Sequence, residues 1–124
     1  MFEALFWIYL VNAVLLIDHE IDSAYWKEWD LFRLPGGIGG FLIIHVPLLF
    51  LVMYGLVMVY QESFAGLVFS LLLSIGGMFA FSIHTIFIKK GRNEFRAPVS
   101  QLLLLAILVK SLVQVVITAC LLAI

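Results

Sequence analysis

Residues 39–60, GGFLIIHVPLLFLVMYGLVMVY, and residues 64–88, FAGLVFSLLLSIGGMFAFSIHTIFI, contain no Asp, Glu, Lys or Arg, and only Gln61-Glu62-Ser63 parts them. About 20 mostly apolar residues are needed to cross a hydrocarbon core of roughly 30 Å, so each run is long enough to span. A three-residue connection leaves the two runs no arrangement other than an antiparallel hairpin. Outward from this hairpin, residues 2–22 and 98–122 are two further apolar runs. The expected fold is all-α: a transmembrane four-helix bundle forming one integral membrane domain over residues 1–124, with helices near 2–22, 39–60, 64–88 and 98–122.

The composition agrees with lipid as the solvent. Hydrophobic residues make up 65% of the chain and charged residues 12%, against about 25% charged residues in soluble domains. The formal net charge of −1 leaves no basic footprint for nucleic acid. Cys120 is the only cysteine and sits in an apolar run, which excludes a disulfide framework, a CxxC redox pair and a thiolate metal cluster. Met1-Phe2-Glu3 puts no positive charge ahead of the first apolar run, so that run is expected to be a retained helix and not a cleaved signal.

Lys27, Arg33, Lys89, Lys90, Arg92 and Arg96 all fall in the connections 23–38 and 89–97, and the 61–63 turn has neither Lys nor Arg. The positive-inside rule makes loops 23–38 and 89–97 cytoplasmic and puts both termini on the extracytoplasmic side of a cell (inner) membrane. Tyr25, Trp26 and Trp29 suit an aromatic belt at the cytoplasmic interface, with Trp7, Tyr9 and Tyr60 serving the opposite one. Pro35-Gly36-Gly37 reads as a turn and elbow into the second helix, and Pro98 suits the first turn of the fourth.

This topology puts the three histidines at one depth. His19, His45 and His84 each lie within roughly 5–10 Å of the cytoplasmic boundary at 1.5 Å per residue. Asn12, Asp22, Ser23 and Trp26 share the face of His19, a polar stripe that belongs toward a bundle interior. Gly77, Ala80 and Phe81 share the face of His84, and small residues let transmembrane helices approach closely. His45, one turn from Pro47 and otherwise among Phe41, Leu42, Leu48 and Leu49, has the least determined direction.

Three imidazoles with carboxylates alongside are what a divalent metal needs. Zinc takes three protein ligands and leaves an open position in catalytic sites, and iron accepts a histidine–carboxylate mixture. The expected ligands are His19, His45 and His84, with Asp22 or Glu20 as a fourth ligand or general base. On this reading the chain is a metal-binding membrane protein, extended to a metal-dependent hydrolase of a lipid-like substrate. Haem binding or electron transfer, with His45 and His84 as axial ligands, is the alternative. A third reading is a structural or assembly subunit whose polar layer fixes helix register. His19-Glu20-Ile21-Asp22 is not HExxH, so zincin chemistry is unsupported, and Ser70, Ser74 and Ser82 read as packing residues. Lys110 is the one other costly residue; it either faces the interior, snorkels, or joins Gln114 in the interface of a homo-oligomer.

The segment from His19 through Trp29 (HEIDSAYWKEW), the Leu34-Pro35-Gly36-Gly37 elbow and Phe81-Ser82-Ile83-His84-Thr85 together resemble a bacterial and archaeal family of small four-helix membrane proteins of unknown function. His19-x-x-Asp22 is more loosely similar to the H-x-x-E-E signature of another small membrane family, with Asp22-Ser23 where two glutamates stand. The first resemblance implies the four-helix fold over nearly the whole chain and implies no activity.

Overall fold

The computed structural model describes residues 1–91 and 96–124. Four long helices, α1 (Phe2–Tyr25), α3 (Gly37–Tyr60), α4 (Phe64–Lys89) and α5 (Pro98–Leu122), are joined by turns and by one short helix, α2 (Glu28–Leu31). Each long helix is long and apolar enough to cross a membrane, and exposed side chains such as Ile43, Val46, Phe50 and Val99 coat the outside of the bundle. The chain is therefore read as a multi-pass membrane protein. The expected boundaries hold to within one turn. The largest departures are that α1 runs on to Tyr25 and that the first connection contains α2. Arg92, counted above with the basic connection, lies outside the described residues.

Local chemistry explains the ends. Ser63 caps α4 by accepting a hydrogen bond from the Gly66 amide (3.1 Å) and donates one to the Met58 carbonyl (2.9 Å), which closes the α3–α4 hairpin. Pro98 occupies the first turn of α5, where its missing N–H costs nothing. Gly36, in left-handed backbone, caps α3.

The long helices form an up-down-up-down ring in which α1 and α4 each pack on α3 and α5. Of the two diagonals only α1–α4 makes contact among the described residues, so these two parallel helices approach across the middle. The end carrying the 61–63 turn is closed. Leu5, Tyr9, Ala13, Val59, Leu67 and Leu73 form its core, and a Cβ at Gly66 would come within 2.6 Å of the Met58 backbone. Tyr9, expected in an interfacial belt, belongs instead to this core: it is 1% exposed and its hydroxyl donates to the Val52 carbonyl (2.7 Å).

The opposite end is looser. The only buried residues of α3 are Gly55 and Val59, so its first half, which contains Pro47, packs on the bundle without fully burying a residue. Midway along, a buried network ties three helices together. The Asn12 amide of α1 donates to Ser111 Oγ (3.1 Å) and Gln114 Oε1 (3.0 Å) of α5. The Gln114 amide donates to the carbonyl and hydroxyl oxygens of Ser70 in α4, both at 3.0 Å, and Ser70 shares a hydrogen bond with Thr118 (2.8 Å). Ser70, expected to be a packing residue, is thus a working member of the network. Lys110 takes no part: it is half-buried and makes no hydrogen bond or ion pair among the described residues, while Gln114 is fully buried within the protomer.

Candidate metal centre

His19 and His84 sit where α1 and α4 meet across the short diagonal, at the end that carries the basic connections. Both are 1% exposed, and their rings make an edge-to-face contact with centroids 4.5 Å apart. The polar face of α1 and the small-residue face of α4 anticipated this. Asn12, His19 and Ser23 are all buried, as are Gly77, Ala80 and His84. The Nδ1 of His84 donates to the Ala80 carbonyl one turn back (2.7 Å). That bond fixes the ring and leaves Nε2 as the outward-facing atom, the usual support for a metal-binding imidazole.

Facing that nitrogen is Glu28, a residue of the connection 23–38 that is not among the ligands expected from the sequence. Glu28 Oε1 lies 3.1 Å from His84 Nε2. It gets there because α1 ends at Tyr25 and Lys27 adopts left-handed backbone (φ 53°), which turns the chain back so that the first residue of α2 lies under the bundle. For a side chain other than glycine this conformation costs about 1–2 kcal/mol, and such strain collects at functional sites. Burial works against the Glu28 carboxylate. The hydrogen bond and charge of His84, the Ser23 hydroxyl beside it and the charge of His19 outweigh that, and its pKa is held below the ordinary value.

His19, Glu28 and His84 each offer one ligand atom, and these atoms all lie within 4.8 Å of one another. Tetrahedral zinc with bonds of about 2.0–2.1 Å sets its ligand atoms roughly 3.3 Å apart. The widest separation exceeds that by about 1.5 Å, a distance of the size that side-chain rotation covers.

His45 is placed elsewhere. Its Nε2 lies 2.6 Å from Glu20 Oε2, its Nδ1 donates to the Phe41 carbonyl (2.7 Å), and its ring stacks on Phe41. The structure therefore brings two of the three expected histidines together and supplies Glu28 where the third was expected. Glu20 binds His45 and also feels the charge of Glu28. Asp22 is half-buried and stands outside the ligand group; its Oδ2 is buried with no hydrogen-bond partner among the described residues. With His45 engaged by Glu20 and Phe41, the geometry lends no support to an axial His45–His84 pair.

Above this cluster an apolar cleft of about 360 Å³ runs between α1, α3 and α4. Glu20 and Glu28 line both this cleft and a second, smaller pocket of about 220 Å³ beside His45, Trp29 and Pro35. The two carboxylates thus divide the intramembrane cleft from a pocket at the basic end.

Residues 5–121 match a family of unknown function, DUF6713. The chain belongs to that family. The match spans nearly the whole bundle, including every residue of the His19–Glu28–His84 group, so membership of DUF6713 bears on the complete four-helix unit. No curated protein and no solved structure matches the chain.

Proposed function

We propose that this DUF6713 member is an intramembrane metal-binding protein that holds a divalent ion, zinc or iron, between His19, Glu28 and His84. The observation that carries the reading is the convergence of one ligand atom from each of three elements, α1, α2 and α4, within 4.8 Å. The positive-inside rule puts the site near the cytoplasmic face. A three-ligand site of this kind leaves one coordination position for water and lowers that water's pKa, which is the basis of metal-assisted hydrolysis. Glu20, which lines the same cleft and bonds His45, would serve as the general base. The reaction class this supports is hydrolysis of a lipid-like substrate.

The buried network of Asn12, Ser70, Ser111, Gln114 and Thr118 strengthens the case. Interhelical hydrogen bonding fixes register in membrane bundles, and here a layer without histidines performs that task about 10 Å away along α1.

The test is elemental analysis by mass spectrometry of protein purified in mild detergent without chelator or polyhistidine tag. Near-stoichiometric metal is expected in the wild type and in His45→Ala, and less than a tenth of that in His84→Ala and Glu28→Ala. Equal metal in all four preparations, or none in the wild type after incubation with zinc or ferrous iron, overturns the proposal. The second result would favour a structural or assembly subunit.

A further inference from the structure

The cleft that ends at His19, Glu28 and His84 is shaped for more than water. Its walls are apolar, with Leu48 and Leu51 from α3 and Leu72 and Phe79 from α4 among them. These four side chains are 43%, 50%, 59% and 60% exposed and lie inside helices long enough to span the bilayer. Exposed lining residues on both helices leave the cleft open sideways between α3 and α4. What surrounds that opening in a membrane is hydrocarbon. A volume of about 360 Å³ is at the low end of the range of about 300–1,000 Å³ for ligand sites, which favours one chain over the two of a bilayer lipid.

From this we infer that the cleft binds a single-chain amphiphile admitted laterally between α3 and α4, its apolar tail along Leu48, Leu72 and Phe79 and its carboxylate head at the His19–Glu28–His84 centre. The head assignment rests on the metal reading above. Glu20 and Glu28 would repel an anionic head unless a cation lay between, and the exposed Lys89 and Lys90 at that end of α4 favour an anion arriving there. The tail assignment rests on the cleft alone.

Gly76 supplies the test. It lines the cleft, and a Cβ added there meets nothing within 4 Å, so Gly76→Leu starts from open space and is the substitution chosen to occupy the cleft. Wild-type protein in phosphatidylcholine vesicles is exposed to a diazirine-bearing palmitic acid, irradiated and mapped by peptide mass spectrometry, with metal content measured on the same preparations. Labelling is expected on α3 and α4 peptides containing Leu48, Leu72 and Phe79. It should be competed by excess palmitic acid, reduced at least tenfold in Gly76→Leu with metal unchanged, and reduced severalfold after chelation.

Labelling spread evenly over the outer faces of all four helices, or labelling indifferent to Gly76→Leu, overturns the inference even if the metal is present. A wild type that holds no metal yet shows competed, Gly76-sensitive labelling would sink the metal reading and the head assignment while supporting the tail site. Competed labelling that is lost in Gly76→Leu and unchanged by chelation of a metal-loaded wild type would overturn the head assignment alone.

Discussion

Glu28 is pulled two ways, by burial that favours its neutral form and by His84, Ser23 and His19, which favour the carboxylate and prevail. A group whose folded pKa lies below its ordinary value of 4.5 stabilises the fold fully above that value and loses the contribution as the pH falls through the lowered pKa. In metal-free protein, thermal unfolding followed from pH 6 to pH 3 should therefore show an acid-side loss of stability that is reduced in Glu28→Gln. An identical acid limb in both proteins would mean that Glu28 does not carry it. The backbone at Lys27 sets up a second comparison. Lys27→Gly should retain metal affinity or improve it severalfold, because glycine takes φ 53° without penalty, whereas the β-branched Lys27→Val should weaken it at least tenfold by pulling Glu28 away. Competition with a chromophoric chelator measures both. This residue also marks the limit of what could be read beforehand. His19 and His84 were legible because helical faces of polar and small residues announce an interior direction. Glu28 was not, because a lysine gives no sign of left-handed backbone. His45 was misplaced because about 100° of rotation per residue decides its direction, and a face of phenylalanine and leucine does not fix that rotation.

At the scale of the helices, stability and function are separated by depth. Gln114 of α5 bonds both Asn12 of α1 and Ser70 of α4, so one substitution removes three bonds of the network and leaves Asn12–Ser111 and Ser70–Thr118 in place. Single interhelical hydrogen bonds in membranes average about 0.6 kcal/mol and reach about 1.7. Gln114→Leu should accordingly lower stability by roughly 1–2 kcal/mol in a reversible unfolding assay and leave metal content unchanged, since no ligand belongs to α5. Gly77 lies in the same contact, where an added Cβ would strike the Ser111 side chain. Gly77→Leu should therefore be the more damaging change, forcing α4 from α5 at about 1–3 kcal/mol or more. A Gln114→Leu protein that unfolds like the wild type would show that the network adds nothing beyond packing. The helices themselves were almost wholly legible, because an apolar run of spanning length has few other uses. The network was not, since Asn12, Ser70 and Gln114 are far apart in the chain and only the ring order of α1, α4 and α5 brings them together.

For the molecule as a whole, the arrangement of charge has to agree with the arrangement of chemistry. The up-down-up-down order puts α2, the candidate metal centre and both basic connections at one end of the bundle, with the 61–63 turn at the other. By the positive-inside rule the expectation is that a centre at the end carrying Lys27 and Lys89 draws on cytoplasmic metal and on the inner leaflet. With the native Cys120 changed to serine, Glu62→Cys should react with a membrane-impermeant maleimide in intact bacterial cells. Lys90→Cys should react only after the membrane is opened. The reverse pattern would turn the site toward the outer leaflet and the extracytoplasmic metal supply. The ligands, the cleft and the helix packing would remain as they are, because none of them depends on which side of the bilayer the basic end faces.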